Sequence, residues 1–189
     1  MSLQEKPRTD ISEVTIREFQ PGDEICFQAL NQEWIERYFR IEPKEAVILA
    51  DPRGTILDSG GKIFFAVLDD RCVGCCALRR MSDTEFEVAK MAVTSACQGA
   101  GIGRKLLHAV IDAGRASGAG RLYLETNHIL KPAIRLYESV GFRHLAPDKI
   151  IPSQYARADV YMELFLSEPA RRGRRLVCPA ERQLGFRCH

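Results

Sequence analysis

No apolar run in this 189-residue chain approaches the roughly 20 residues that a membrane-crossing helix needs, which argues against a transmembrane segment. The opening stretch MSLQEKPRTD has no hydrophobic signal region, so the expected location is the cytoplasm. Neither sign of charge dominates. There are 27 Lys and Arg against 25 Asp and Glu, and the small excess comes from one end. Residues 1–166 carry 21 basic against 23 acidic side chains, whereas residues 167–189 carry 6 against 2. A basic tail without interleaved aromatics or a recognition fold reads as a solvated end, and neither nucleic acid nor a membrane is expected as a partner. The seven cysteines are odd in number, and a chain of this length can build a core without disulfides. Its one CxxC, Cys72-Val73-Gly74-Cys75, followed by Cys76, has neither a second pair nor spaced histidines. It lies in a strand pattern and reads as buried small hydrophobes, with no metal site expected.

Two nucleotide-binding signatures are missing as well. A P-loop requires GxxxxGK[ST], but Gly103 is followed by Arg104, Lys105 and Leu106, with no hydroxyl to meet a magnesium ion. A dinucleotide turn requires GxGxxG, and counting from Gly99 and Gly101 the third position is Arg104. What the chain does contain is the run Gln98-Gly99-Ala100-Gly101-Ile102-Gly103-Arg104, between a strand-like stretch, Phe86 to Val93, and an amphipathic one, Arg104 to Ala116. Strand, glycine turn and helix in that order make an anion cradle. Glycines let the backbone approach a phosphate, and the helix start offers unpaired N–H groups and a positive dipole end. Arg104 and Lys105 at that start either answer a bound anion or form a solvated basic pair.

No internal repeat interrupts the chain, and its length fits one domain: an N-terminal extension, residues 1–13, a body, 14–166, and a tail, 167–189. Val14 to Phe19 reads as a strand, with a turn and helix start at Pro21-Gly22-Asp23. The next helix, about Glu24 to Tyr38, places Ile25, Leu30, Trp34 and Tyr38 near one face, and a shorter helix covers Lys44 to Leu49. Asp51 to Gly54 and Asp58 to Gly61 are loop signals. Strands Lys62 to Leu68, Cys72 to Arg80 and Glu85 to Val93 form an antiparallel meander, the first two joined at Asp69-Asp70. After the glycine loop come a helix ending near Gly118 or Gly120 and a buried strand, Arg121 to Thr126. A helix follows between Pro132 and Gly141, then closing strands Phe142 to Leu145 and Asp159 to Phe165, separated by the loop Pro147 to Arg157. The fold class is α/β (α+β): a single mixed, largely antiparallel sheet of six or seven strands with about four helices and helical crossovers at its middle strands.

Three motifs together resemble the GCN5-related N-acetyltransferase (GNAT) family: Glu87-Val88-Ala89-Lys90-Met91-Ala92-Val93, Q-x-x-G-x-G at Gln98, Gly101 and Gly103, and Leu136-Tyr137 with Gly141-Phe142. The order of elements agrees with that family from Val14 to Leu166. The resemblance implies splayed central strands, with coenzyme A in the opening and acetyl-CoA as cosubstrate. It implies that the backbone of Met91, Ala92 and Val93 binds the pantetheine arm, with the Val93 N–H facing the thioester carbonyl. The N–H groups from Gln98 through Gly99, Ala100, Gly101, Ile102 and Gly103 to Arg104 would then hold the pyrophosphate. Asn127 matches a family contact to coenzyme A, or is a turn residue. Tyr137 matches the general acid for the departing thiolate, although its spacing with Ile134 and Val140 is also that of a core residue. Glu87 matches the glutamate that serves as general base through water, or is an exposed strand carboxylate. Glu125 and His108 are weaker candidates for that role. Cys97 has no histidine beside it in sequence, which disfavours a covalent acyl-cysteine route.

The acceptor site is expected between the helices from Glu24 to Leu49 and the loop from Pro147 to Arg157, with Glu33, Trp34, Tyr38, Phe39 and Tyr155 as candidate linings. The leading function is acetyl transfer from acetyl-CoA to the primary amine of a small molecule or amino acid derivative. Acetylation of a protein lysine or amino terminus, and a non-catalytic acyl-CoA sensor, are the alternatives, and the resemblance leaves a homodimer open.

Overall fold

A computed structural model describes residues 13–150, 153 and 155–166. Apart from Glu13, the N-terminal extension and the basic tail expected from the sequence lie outside the described residues. In chain order the elements are β1 (Thr15–Glu18), α1 (Glu24–Tyr38), α2 (Pro43–Ala50), β2 (Lys62–Leu68), β3 (Arg71–Arg80), β4 (Glu85–Val93), α3 (Ile102–Ala116), β5 (Arg121–Thr126), α4 (Lys131–Ser139), β6 (Arg143–His144) and β7 (Val160–Phe165).

Apolar residues at consecutive positions of β2 and β3 set the architecture, because a strand buried on both faces must be covered on both. Phe64 and Ala66 of β2, with Cys76 and Leu78 of β3, join the core under α3 and α4. Ile63 and Phe65, with Cys75 and Ala77, join the core under α1 and α2. The sheet order is β1-β2-β3-β4-β5-β7-β6, and among the described residues β4 with β5 is its one parallel pair. The helical crossover there is α3, which buries Leu106, Leu107, Val110 and Ile111 in its stripe. Asp69 and Asp70, both at positive φ, close the β2–β3 hairpin, as the two-residue turn requires. Cys75 and Cys76 are fully buried, and burial pushes the Cys75 thiol up to about 12.

Three local expectations are corrected. The buried stripe of α1 is Phe27, Leu30, Asn31 and Ile35, while Ile25 and Tyr38 are exposed. Asn31 disguised that stripe: its side chain donates to the Phe27 carbonyl at 2.9 Å and to Cys75 Sγ at 3.4 Å, so a polar residue is satisfied inside the core. The stretch between the two loop signals forms a π-helical turn, Arg53–Leu57, because Ile56 is buried against the sheet. The closing strand near Phe142 is only two residues long, Arg143–His144.

Candidate active site

β4 and β5 pair at Glu85 with Arg121, Phe86 with Leu122 and Glu87 with Tyr123, and at no later position. Beyond Glu87 the strands part. On the other edge of β4 the register with β3 shifts between Cys75 and Ala77, and Lys90 takes a positive φ of 52°. A bulge of this kind bends a strand and re-aims its side chains. The resulting cleft has a volume of about 470 Å³ and runs from the glycine loop to the α1–α2 corner.

At one end the loop meets α3. Gly99 and Gly101 have φ of 82° and 78°, a region that strains any residue with a Cβ, and Gly101 is the N-cap of α3. Among the described residues no side chain caps this helix, and no acid lies in its first turn. The leading N–H groups, at Ile102 and Gly103, have no intrahelical acceptor by helix geometry, so the terminus suits an anion. Gln98 braces the loop by donating its side-chain amide to the Val93 carbonyl at 3.0 Å. Gly103 allows close packing, since a Cβ there would press the side-chain ends of Leu136 at 3.1 Å and Met91 at 3.2 Å. The basic pair divides: Arg104 lines the cleft, whereas Lys105 Nζ donates to the Val14 carbonyl at 3.3 Å.

Met91 and Val93 line the cleft, while Ala92 is buried in the core under α1 and Ala100 lies outside the cleft lining. Asn127 lines it and is also a turn residue, its Oδ1 accepting from the Ile129 N–H at 3.0 Å and its amide donating to the Arg157 carbonyl. Tyr137 is both core and wall: its ring packs edge-on against Phe142 at 6.0 Å, and burial raises its pKa. Glu87 faces the cleft with its Oε2 2.7 Å from Arg79 Nη1. Burial raises the Glu87 pKa, Arg79 opposes that rise, and the nearby Glu125 carboxylate adds to it. Glu125 also lines the cleft and accepts from Tyr123 Oη at 3.1 Å and from Ser153 Oγ. His108 is exposed on α3 and is not part of the cleft lining.

At the other end, Trp34, Tyr38, Phe39 and Tyr155 line the wall. Glu33 does not; its carboxylate accepts from the Ser95 N–H at 3.0 Å and from the Thr94 and Ser95 hydroxyls, tying α1 to the end of β4. Sequence reasoning missed a charged cluster on this wall. Glu45, with 1% of its side chain exposed, receives Lys90 Nζ at 2.6 Å and the Arg157 guanidinium at 2.6 and 2.8 Å. Burial opposes the Glu45 charge, but the two cations outweigh it and hold its pKa below the ordinary value. Burial lowers the Lys90 pKa against the pull of Glu45. The available sequence signals were faint: a lone acid in the apolar helix α2 and a lone lysine in β4.

The family model described as acetyltransferase (GNAT) family matches residues 25–142. The mycothiol acetyltransferase of Thermomonospora curvata is 34% identical over 164 residues, covering 80% of this chain and 52% of that protein. The chain spans about half the length, or less, of the first curated relatives it matches. An acetyltransferase of the GNAT family from Staphylococcus aureus superposes with a TM-score of 0.74 at 20% identity, covering 82% of this chain and 99% of that one. The yncA protein of Salmonella typhimurium, solved with acetyl-CoA, gives 0.63 at 22% identity, covering 83% and 96%. At these identities the likeness to the two structures is one of fold.

Proposed function

Because the chain belongs to the acetyltransferase (GNAT) family, we propose that it transfers an acetyl group from acetyl-CoA to the primary amine of a small molecule or amino acid derivative. One observation carries this reading: the opening between β4 and β5 joins an uncapped, glycine-led helix start to a wall bearing both Glu87 and Tyr137. A phosphate cradle alone suits a sensor; a cradle continuous with groups able to move protons suits an enzyme.

The α3 terminus and Arg104 hold the anionic end of acetyl-CoA, and backbone groups of Met91 to Val93 align its arm. An alkyl ammonium must lose a proton before it can attack, and Glu87 takes it, directly or through water. A carboxyl whose pKa is raised by burial is the stronger base for that step. The amine nitrogen then bonds to the acetyl carbon while the carbon–sulfur bond breaks. The second amine proton goes to solvent or base, and Tyr137 supplies one to the departing sulfur. The balance is one amide, one free thiol and one net proton released. Glu125 beside Glu87 favours a cationic group entering this part of the cleft.

The test is release of coenzyme A thiol from acetyl-CoA across a panel of small amines and a parallel panel of peptides. Turnover of the small amines is expected. Activity confined to peptides would replace the acceptor class, and tight acetyl-CoA binding without turnover of either panel would favour the sensor.

A further inference from the structure

The acceptor end of the cleft gathers charges of both signs. Two cations, Lys90 and Arg157, converge on the single buried carboxylate of Glu45, and the further acid at Arg157, Glu42, stands off at 3.5 Å. Lys90 has three N–H donors and gives one to Glu45. The Tyr155 ring lies against both cations, with Lys90 Nζ 4.9 Å and Arg157 Cζ 5.1 Å from its centroid. Its hydroxyl is buried in the cleft wall and has no hydrogen-bond partner among the described residues. An unpaired buried hydroxyl is destabilising, and a ligand acceptor atom would satisfy it. The other side of the same space carries the opposite imbalance. Glu125 accepts only from neutral hydroxyls and has no ion pair among the described residues, while its neighbour Glu87 pairs with Arg79 and also feels the charge of Lys90.

We infer that the acceptor is an amino acid bearing a free carboxylate, which Lys90, Arg157 and the Tyr155 hydroxyl receive while its ammonium lies toward Glu87 and Glu125. The inference rests on the acetyl-transfer reading and narrows its substrate class. A zwitterion sets its carboxylate beside two cations that share one close carboxylate, Glu45, and its ammonium beside Glu125, which has no ion pair among the described residues. A carboxylate takes the unused Lys90 donors and the orphaned hydroxyl together, and charge-assisted bonds of that kind are the stronger ones. A dicationic amine would satisfy Glu87 and Glu125 but would bring its second charge toward Lys90 and Arg157. A neutral monoamine would leave the hydroxyl unpaired. Tyr155 is thereby a specificity residue with no proton-transfer role.

The experiment compares kcat/KM for free amino acids with their carboxamides and with linear diamines, and measures acetyl-CoA binding separately by calorimetry. The expected result is a preference of about tenfold or more for the best free acid over its carboxamide. Tyr155→Phe is expected to erase most of that preference through KM, leaving acetyl-CoA affinity unchanged. Its melting temperature should be equal or higher, since the lost hydroxyl has no partner; a structural hydroxyl would lower it. If acetyl-CoA binds and the carboxamides or diamines are equal or better acceptors, the amino acid assignment is overturned and acetyl transfer stands. If acetyl-CoA binds and no free amino acid is acetylated, the assignment is likewise overturned. If acetyl-CoA does not bind, the acetyl-transfer reading falls and takes the inference with it.

Discussion

Arg79 stands directly across the β3–β4 ladder from Glu87, with its Nη1 2.7 Å from the Glu87 carboxylate. Cross-strand opposition fixes this pair as neighbours whatever the cleft holds. It also places the one cation bonded to Glu87 on the strand away from β5. The pair therefore restrains how far burial raises the basicity of Glu87.

Burial raises the Glu87 pKa and Arg79 restrains the rise. A base works deprotonated, so activity should climb with pH through a Glu87 pKa lying above the ordinary glutamate range. Arg79→Met removes the restraint, and the acid limb of the kcat/KM profile should move to higher pH. Glu87→Gln should cut kcat by roughly 100-fold or more and abolish that limb, with acetyl-CoA affinity unaltered. An acid limb that survives in Glu87→Gln would assign the base elsewhere.

Gly101 and Gly118 share a φ of 78°, and neither would present a Cβ to any atom within 4 Å. Gly101→Ala and Gly118→Ala should therefore lose similar stability, about 1–2 kcal/mol from left-handed strain. Only Gly101 lies on the cleft. Its substitution should weaken coenzyme A binding about tenfold or more, while Gly118→Ala should leave it unchanged. Calorimetry on the two folded variants makes the comparison, and equal affinities would remove the loop as the phosphate cradle.

Tyr137→Phe keeps the ring that packs on Phe142 and removes only the hydroxyl. A thiol leaves readily at its ordinary pKa near 8.5, so kcat should fall several-fold rather than vanish, with an unchanged acceptor KM. An unchanged kcat would leave Tyr137 as a packing residue alone.

Asp23, just before α1, ties the helix start to β1, accepting from Arg17 at 2.6 and 2.9 Å and from the Gln20 N–H at 2.7 Å. Its hydrogen bond to Arg17 holds its carboxyl below the usual range. The folded pKa lies below the unfolded one. The stabilisation is therefore complete above the unfolded value, near 4, and is lost as pH falls through the folded value. Asp23→Asn should cost about 2–3 kcal/mol at neutral pH, and the gap from the parent chain should narrow in acid. Urea denaturation at several pH values measures it, and a gap independent of pH would remove the ion pair as its cause.

Much of the frame was legible because its signals are local. The Asp69-Asp70 turn, the glycine loop before α3, and Pro132 with Gly141 around α4 each act within a few residues of the structure they specify. The face of α1 was not legible, because Ile25, Leu30, Trp34 and Tyr38 satisfy helical spacing as well as the true stripe does. Only the sheet beneath, through Cys75 and Asn31, selects between them. The glycine turn and helix start in the Gln98 to Arg104 run were readable, while the placement of Glu33 away from the cleft depended on where β4 ends against α1.

The sequence by itself determined the strand, glycine turn and helix that make a glycine-led helix terminus, and two buried strands that demand helices on both faces. Tertiary structure alone decided that β4 leaves β5 after Glu87, and that Glu45, Lys90 and Arg157 meet there. The reason is physical: periodicity and turn chemistry are properties of neighbouring residues. A buried charge, by contrast, is tolerated only where partners distant in the chain converge to neutralise it.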